Sequence, residues 1–193
     1  MLSRFPDFLR RWLYAGGSRT DRLRDPDAVV AALDARPGMI VADLGPGGGH
    51  FTLGLARAVQ PGGVVYALDA SERTLDDLRE KADAGTVRAL RPVVVPRDRL
   101  AVPEPVDLLF VSATYHHLPE PRRYFAEARQ HLRPGARVVI LESRREGLLA
   151  PFMGVHGSNP RSLVREMADA GYRLITTHDI VRGYWFGVFE AGA

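Results

Sequence analysis

The stretch Met39-Ile40-Val41-Ala42-Asp43-Leu44-Gly45-Pro46-Gly47-Gly48-Gly49-His50-Phe51-Thr52 decides the architecture. Met39 to Asp43 is a short apolar run ending in an acid, which reads as a buried strand. Gly45 to Gly49 is a turn, because glycines let the backbone reverse sharply. Phe51 to Val59 then carries apolar residues at helical spacing until Pro61-Gly62-Gly63 ends it. Strand, glycine turn and helix in that order form one β–α unit.

The same unit repeats downstream. Val64 to Leu68 is a second strand closing at Asp69, and Ser71 caps a helix reaching about Ala84. Val93-Val94-Val95 is a third strand, and Val106 to Val111 a fourth. The fourth is apolar throughout, as a parallel strand covered on both faces must be. Glu120 to Leu132 is a helix stopped by Pro134-Gly135, and Ala136 to Leu141 is a fifth strand ending at Glu142. Asn159 caps a helix with Pro160 at its first position, closing near Gly171. Tyr172 to Thr177 and Tyr184 to Glu190 are the last two strands, too close in sequence for a helical crossover and therefore antiparallel. The expected fold is α/β: a doubly wound, Rossmann-like, mostly parallel seven-stranded sheet whose last strand is antiparallel.

Upstream, Phe5, Phe8, Leu9, Trp12 and Leu13 recur at helical spacing, with Arg4, Asp7, Arg10 and Arg11 between them. That is an amphipathic helix and not a signal peptide; it covers a pocket, docks on the core or touches a membrane surface. Ala15-Gly16-Gly17-Ser18 breaks the pattern. A second helix runs from Pro26 to about Ala35, capped by Asp25. The organisation is an N-terminal helical cap over residues 1–36 and one structural unit over 37–193.

At 193 residues the chain suits one domain, and 46% apolar content gives it a core without staples. It has no cysteine, which excludes disulfides, thiolate metal sites and a cysteine nucleophile. This fits a cytoplasmic protein, and no apolar run approaches the ~20 residues of a membrane span. Net charge is +3, but Lys81 is the only lysine and the arginines are spread among acids. The basic balance therefore reflects arginine usage rather than a nucleic-acid patch.

The glycine turn and its flanking acids specify the ligand. Neighbouring strand ends in a doubly wound sheet face one crevice, so Asp43 and Asp69 face it together. A helix start after the turn offers N–H groups to electron-rich atoms. A dinucleotide fingerprint would need a small residue where His50 or Thr52 stands, and an acid at Asp43 would repel a pyrophosphate. A cationic nucleoside without phosphate welcomes that acid. S-adenosylmethionine is such a molecule, and D-x-G-x-G-x-G is matched to it.

At this point the chain resembles the class I S-adenosylmethionine-dependent methyltransferases, in the broad small-molecule group that includes ubiquinone/menaquinone C-methyltransferases. The first motif is Val41-Ala42-Asp43-Leu44-Gly45-Pro46-Gly47-Gly48-Gly49, and the second-strand acid is Asp69 in Tyr66-Ala67-Leu68-Asp69-Ala70-Ser71. Asp98 in Pro96-Arg97-Asp98-Arg99 stands where the family has an adenine-contacting acid. Val106 to Val111, His116-His117-Leu118-Pro119 and Leu132-Arg133-Pro134-Gly135-Ala136-Arg137-Val138 complete the series in order.

The resemblance implies roles. Asp43 orients the methionine amino group, directly or through water, while Gly45 and Gly47, with Pro46 and Gly49 in the same loop, let the backbone pass the methionine moiety. Asp69, followed by Ala70, binds the ribose hydroxyls. Asp98 accepts from the adenine amino group, the Arg99 N–H faces the ring, and Ser112 lies near the amino-acid end of the cofactor. The product is S-adenosylhomocysteine.

An acceptor hydroxyl, amine or carbon acid benefits from a base, and the first candidate is His117, then His116, after the fourth strand. Ser112-Ala113-Thr114-Tyr115 stands where base-methylating enzymes carry Asn/Asp-Pro-Pro-Tyr/Phe, so nucleic acid is not the expected substrate. Thiol-based arsenite methylation is excluded by the missing cysteines. A magnesium-dependent catechol-type site is not expected, since the only asparagine, Asn159, caps a helix. Tyr14, Tyr115, Arg144, Arg145, Met153, His156 and Trp185 are the expected lining for a small-molecule acceptor. Gly147 to Ser158 is a mobile lid or a packed connection. An RNA methyltransferase, a non-catalytic regulatory protein that binds the cofactor, and a nicotinamide oxidoreductase stay as alternatives. The sequence specifies neither the acceptor atom nor the oligomeric state.

Overall fold

The computed structural model describes residues 25–85, 87–144 and 157–192. The first amphipathic helix, Tyr14, Arg145, Met153, His156 and nearly all of the segment from Gly147 to Ser158 lie outside them. The elements in chain order are α1 (Pro26–Ala32), β1 (Ile40–Leu44), α2 (Thr52–Ala58), β2 (Val64–Asp69), α3 (Glu72–Asp83), β3 (Leu90–Val94) and β4 (Val106–Ser112). A 3₁₀ turn (Tyr115–His117), α4 (Pro121–Ala128), a second 3₁₀ turn (Arg129–His131), β5 (Leu132–Ser143), α5 (Pro160–Asp169), β6 (Tyr172–His178) and β7 (Tyr184–Ala191) follow.

All seven strands form one sheet in the order β3-β2-β1-β4-β5-β7-β6. Its pairs are parallel except those of β7, which runs antiparallel to both β5 and β6. The expected doubly wound sheet with an antiparallel last strand is therefore present.

Alternation along the strands builds two cores. Ile40, Ala42 and Leu44 of β1 join Leu109 and Val111 of β4 on one face, under Tyr124 and Phe125 of α4 and Leu163 and Met167 of α5. Val41, Val65, Ala67, Leu108 and Phe110 turn to the other face, under Leu55 of α2 and Leu75 and Leu78 of α3. Val29 and Leu33, in and just after α1, bury in this second core. Both cores thus fix β1 and β4 from opposite sides, which is why every side chain of the strand from Ile40 to Leu44 is buried.

Capping follows the sequence at two helices. Asp25 accepts from the N–H groups of Asp27 and Ala28, and Asn159 from those of Arg161 and Ser162. At α3 the expected Ser71 side-chain cap is absent; instead the Ser71 N–H donates to Asp69 Oδ1 at 2.8 Å.

The structure corrects the region around Pro134. The helix expected over Glu120 to Leu132 stops at Ala128 and tightens into a 3₁₀ turn, and β5 already starts at Leu132. Leu132 pairs with Val106, and a register shift before Leu108 accommodates Pro134-Gly135 as an irregularity inside the strand. A proline is tolerated at such a bulge because its missing N–H costs no ladder bond there. The third strand likewise begins earlier than expected, at Leu90, because Val65 and Leu90 pair across the β2–β3 ladder.

The Tyr124 hydroxyl is buried in the core and has no hydrogen-bond partner among the described residues. A buried unpaired hydroxyl costs about 1–3 kcal/mol relative to the same ring without it. Tyr124→Phe is expected to leave the unfolding free energy unchanged or to raise it, measured by urea denaturation. A loss of stability would mean that the hydroxyl has a partner.

Candidate functional site

The chain moves outward from β1 to β2 and β3, then returns to β4 on the other side of β1. The crevice at this switch lies beyond the carboxyl ends of the strands. Register decides which side chains reach it. Leu44 pairs with Leu68 and with Val111, and Ser112 with Leu141. Asp43 and Leu44, Asp69, Ser112 and Glu142 therefore end up along one edge of the sheet.

Asp43 is 2% exposed, and among the described residues its hydrogen-bond partner is Thr52, whose hydroxyl donates to Oδ2 at 2.6 Å. Burial pushes the Asp43 carboxyl up to about 6, and the Thr52 hydroxyl opposes that rise. A buried carboxylate with one neutral donor is incompletely compensated and is stabilised by a cation brought to it.

The glycine turn connects Asp43 to α2. Gly45 has φ +72°, its N–H donates to the Leu68 carbonyl at 2.8 Å, and a Cβ there would overlap the Thr114 side chain. Gly47, at φ +53°, has nothing among the described residues within 4 Å of the place of its missing Cβ, so it opens on space that none of them fills. At Gly49 a Cβ would run into Leu78. Close approach of two loops, an open cradle and helix packing thus require the three glycines separately.

Asp69 is half-buried at the end of β2. Burial raises its pKa, and the N–H groups of Ser71 and Ala70 together with Arg97 pull it down. Asp98 stands on the loop after β3 with its side chain 68% exposed, 3.4 Å from Arg99 Nη1. The structure thus brings Asp43, Gly45, Pro46, Gly47, Gly49, Asp69 and Ala70 together, with Ser112 next to them, and leaves Asp98 and Arg99 at the solvent side.

The turn after β4 is constrained. Ala113 has φ +50°, a left-handed conformation that costs a non-glycine residue energy and gathers at functional sites. It holds Thr114 against Gly45, with Thr114 Oγ1 donating to the Ser112 carbonyl at 3.0 Å. The following 3₁₀ turn sends its three side chains to different places. Tyr115 is 3% exposed, stacks on Phe125 and donates its hydroxyl to Glu166 at 2.6 Å. It is a core residue rather than an open lining, and burial with the Glu166 carboxylate pushes its phenol above the usual tyrosine range. His116 turns inward, with Nδ1 3.0 Å from Oε1 of Glu142. His117 is exposed, its ring centroid 4.0 Å from that of His116.

Of the other expected lining residues, Trp185 is buried beside Phe189, opposite Glu142 in the β5–β7 ladder. Arg144 is occupied by the backbone: its Nε donates to the Tyr184 carbonyl at 3.1 Å. Trp185 thus packs in the core, and Arg144 anchors the connection before β7. Thr52, Thr114 and Glu142 carry no motif that marks them in the sequence. Glu142 reads there only as an acid closing a buried strand; what pairs it with His116 is the β4–β5 register.

Among the described residues no group of three His, Asp or Glu side chains is placed to hold a metal ion, and no helix is long and apolar enough to cross a membrane. An open groove between the end of α4, the start of β5 and Ala191-Gly192 lies at the opposite edge of the sheet and contains none of these residues.

Residues 42–140 match the family model of the methyltransferase domain. An uncharacterised 37.1 kDa protein in a transposon of Streptomyces fradiae is 31% identical over 78% of this chain and 43% of its own length. The ubiquinone/menaquinone biosynthesis C-methyltransferase of Bordetella avium is 30% identical over 63% of this chain and 48% of its own. The chain spans a little under half the length of these curated relatives. A crystal structure of an S-adenosylmethionine-dependent methyltransferase from Aquifex aeolicus superposes with a TM-score of 0.76 at 26% identity, over 96% of this chain and 98% of that one.

Asp43 ionises near 3.8 in the unfolded chain and near 6 in the folded one. Between those values the folded chain holds the extra proton, so its stability falls as pH rises from about 4 to about 6 and stays lower above. Asp43→Asn is expected to match the parent chain near pH 4 and to exceed it by about 2–3 kcal/mol at neutral pH. Urea denaturation at the two pH values checks this; a stability difference independent of pH would contradict it.

Proposed function

Since this chain belongs to the methyltransferase domain family and its cofactor is S-adenosylmethionine, we propose that it transfers a methyl group from that cofactor to a small organic acceptor. The observation that carries this reading is the meeting of the buried Asp43, the open Gly47 cradle and Asp69 at neighbouring strand ends.

The residues present fit the cofactor. Asp43 offers a buried negative charge to its ammonium group. Gly47 leaves open the space a side chain would fill, and Gly45 brings the backbone of the glycine turn against the Thr114 turn. Asp69, held at Oδ1 by the Ser71 N–H, presents its carboxylate at the strand end where ribose hydroxyls need an acceptor. Asp98 and Arg99 are the adenine-side pair, on the exposed loop beyond β3. Ser112 and Thr114 lie toward the amino-acid end.

When bound, S-adenosylmethionine supplies a methyl group already activated by the sulfonium. The protein's contribution is then to align the acceptor and exclude water, and proximity of this kind is worth several kcal/mol or more of barrier. The acceptor reaches the site past the turn after β4, where His116 and His117 stand. A nucleic-acid substrate is disfavoured by Ser112-Ala113-Thr114-Tyr115, which lacks the double proline of base-methylating enzymes and turns its tyrosine into the core.

Isothermal titration with S-adenosylhomocysteine tests the reading. The full chain is expected to bind it, and Asp69→Ala to weaken binding about tenfold or more, ~1.4 kcal/mol. No heat at high micromolar ligand, or an affinity untouched by Asp69→Ala, would contradict it.

A further inference from the structure

Glu142 is the most deeply buried acid at the crevice, 1% exposed at the end of β5. Its Oε1 accepts from the Ser143 N–H at 3.0 Å and faces His116 Nδ1 at 3.0 Å, and its Oε2 lies 3.4 Å from the His116 N–H. These contacts join the end of β5 to the 3₁₀ turn after β4. They exist because β4 and β5 run parallel with Ser112 opposite Leu141, which sets the turn after β4 directly beside the end of β5. A carboxylate removed from water needs donors, and this one receives them from the backbone and from one imidazole.

That arrangement fixes the imidazole. Two acceptors cannot face each other at 3.0 Å, so against an ionised Glu142 the Nδ1 of His116 carries hydrogen. The basic nitrogen of the neutral ring is then Nε2. A proton arriving at Nε2 makes an imidazolium whose charge is met at once by the carboxylate on its other side, the same division of labour by which an acid orients the histidine of hydrolase triads. His117, although first by sequence, is the exposed member of the pair.

We propose that His116 is the base of the transfer and that Glu142 is its positioning residue, serving an acceptor that carries a proton on its nucleophilic oxygen. This rests on the methyl-transfer reading above. In the reaction the acceptor oxygen forms its bond to the methyl carbon as the carbon–sulfur bond breaks, and that bond's electron pair stays on sulfur. The hydroxyl proton passes to His116 Nε2. The positive charge lost at sulfur reappears on the imidazolium, beside Glu142. A carboxylate acceptor, already ionised, has no need of such a pair, whereas an alcohol, phenol or enol does.

Nitrogen-detected NMR of the ¹⁵N-labelled full chain near pH 8, with His116→Gln supplying the assignment, reads the tautomer directly. The expected result is a neutral His116 protonated at Nδ1; protonation at Nε2 would overturn the proposal. Diethyl pyrocarbonate, an electrophile that captures basic imidazole nitrogens, gives a chemical readout by mass spectrometry. Glu142→Gln keeps the size and an acceptor oxygen but loses the charge. It is expected to slow carbethoxylation of His116 by about threefold or more and to leave His117 unchanged. Equal His116 rates in the two proteins, or a His116 that stays unmodified while His117 reacts, would overturn it. If Glu142→Gln does not fold, the tautomer of the parent chain still decides. Titration of the parent chain with S-adenosylhomocysteine separates the two readings: the Nδ1 tautomer without cofactor binding would overturn the methyl-transfer reading and with it the role of the pair.

Discussion

A carboxylate buried at the end of the central strand sets the terms for everything around it. Asp43 sits between two cores, in a strand with no exposed side chain, and one hydroxyl is its hydrogen-bond partner among the described residues. Leaving an acid there costs stability, and the fold tolerates it because β1 is held from both faces. The cost has a direction: it is relieved by a proton at low pH or by a cationic ligand near neutrality. A crevice built around such a group selects for positive charge before any other contact is considered.

The rest of the site follows from holding three loops against that strand end. Gly45 touches Thr114 and Gly49 packs on Leu78 of α3, whereas Gly47, the third of them, meets none of the described residues. The glycine turn is therefore wedged on two sides by described residues and open to them on the third, the side the proposed reading gives to the ligand. Ala113, in a left-handed conformation, keeps the opposite turn pressed inward. The same turn delivers His116 to Glu142 and buries Tyr115 on Glu166. In the proposed reading the methyl-donor side and the acceptor side share one short segment, so a substitution in Ser112 to Thr114 is expected to disturb both.

How much of this is legible from sequence depends on whether a feature is local. The sheet is legible, because buried parallel strands read as continuous apolar runs and their connections carry glycine and proline. Asp43, the glycine turn and Asp69 are legible because each sits at a fixed offset from a strand end. The start of β5 is not: Pro134-Gly135 looks like a stop, and only the pairing of Leu132 with Val106 carries the strand through it. Tyr115 and Trp185 look like lining because they border the crevice in sequence, yet stacking on Phe125 and contact with Phe189 draw them into the core. Glu142 and His116 are 26 positions apart, and only strand register makes them neighbours.

The central claim is that an ionised Asp43 holds the ammonium end of the cofactor. Calorimetric titration across about pH 8 to pH 5 with two ligands tests it: S-adenosylhomocysteine, which has the amino-acid tail, and 5′-methylthioadenosine, which lacks it. Because Asp43 takes up its proton near 6, affinity for the first should fall by up to about tenfold per pH unit below that value. Affinity for the second should change far less. Parallel curves for the two ligands would contradict the account.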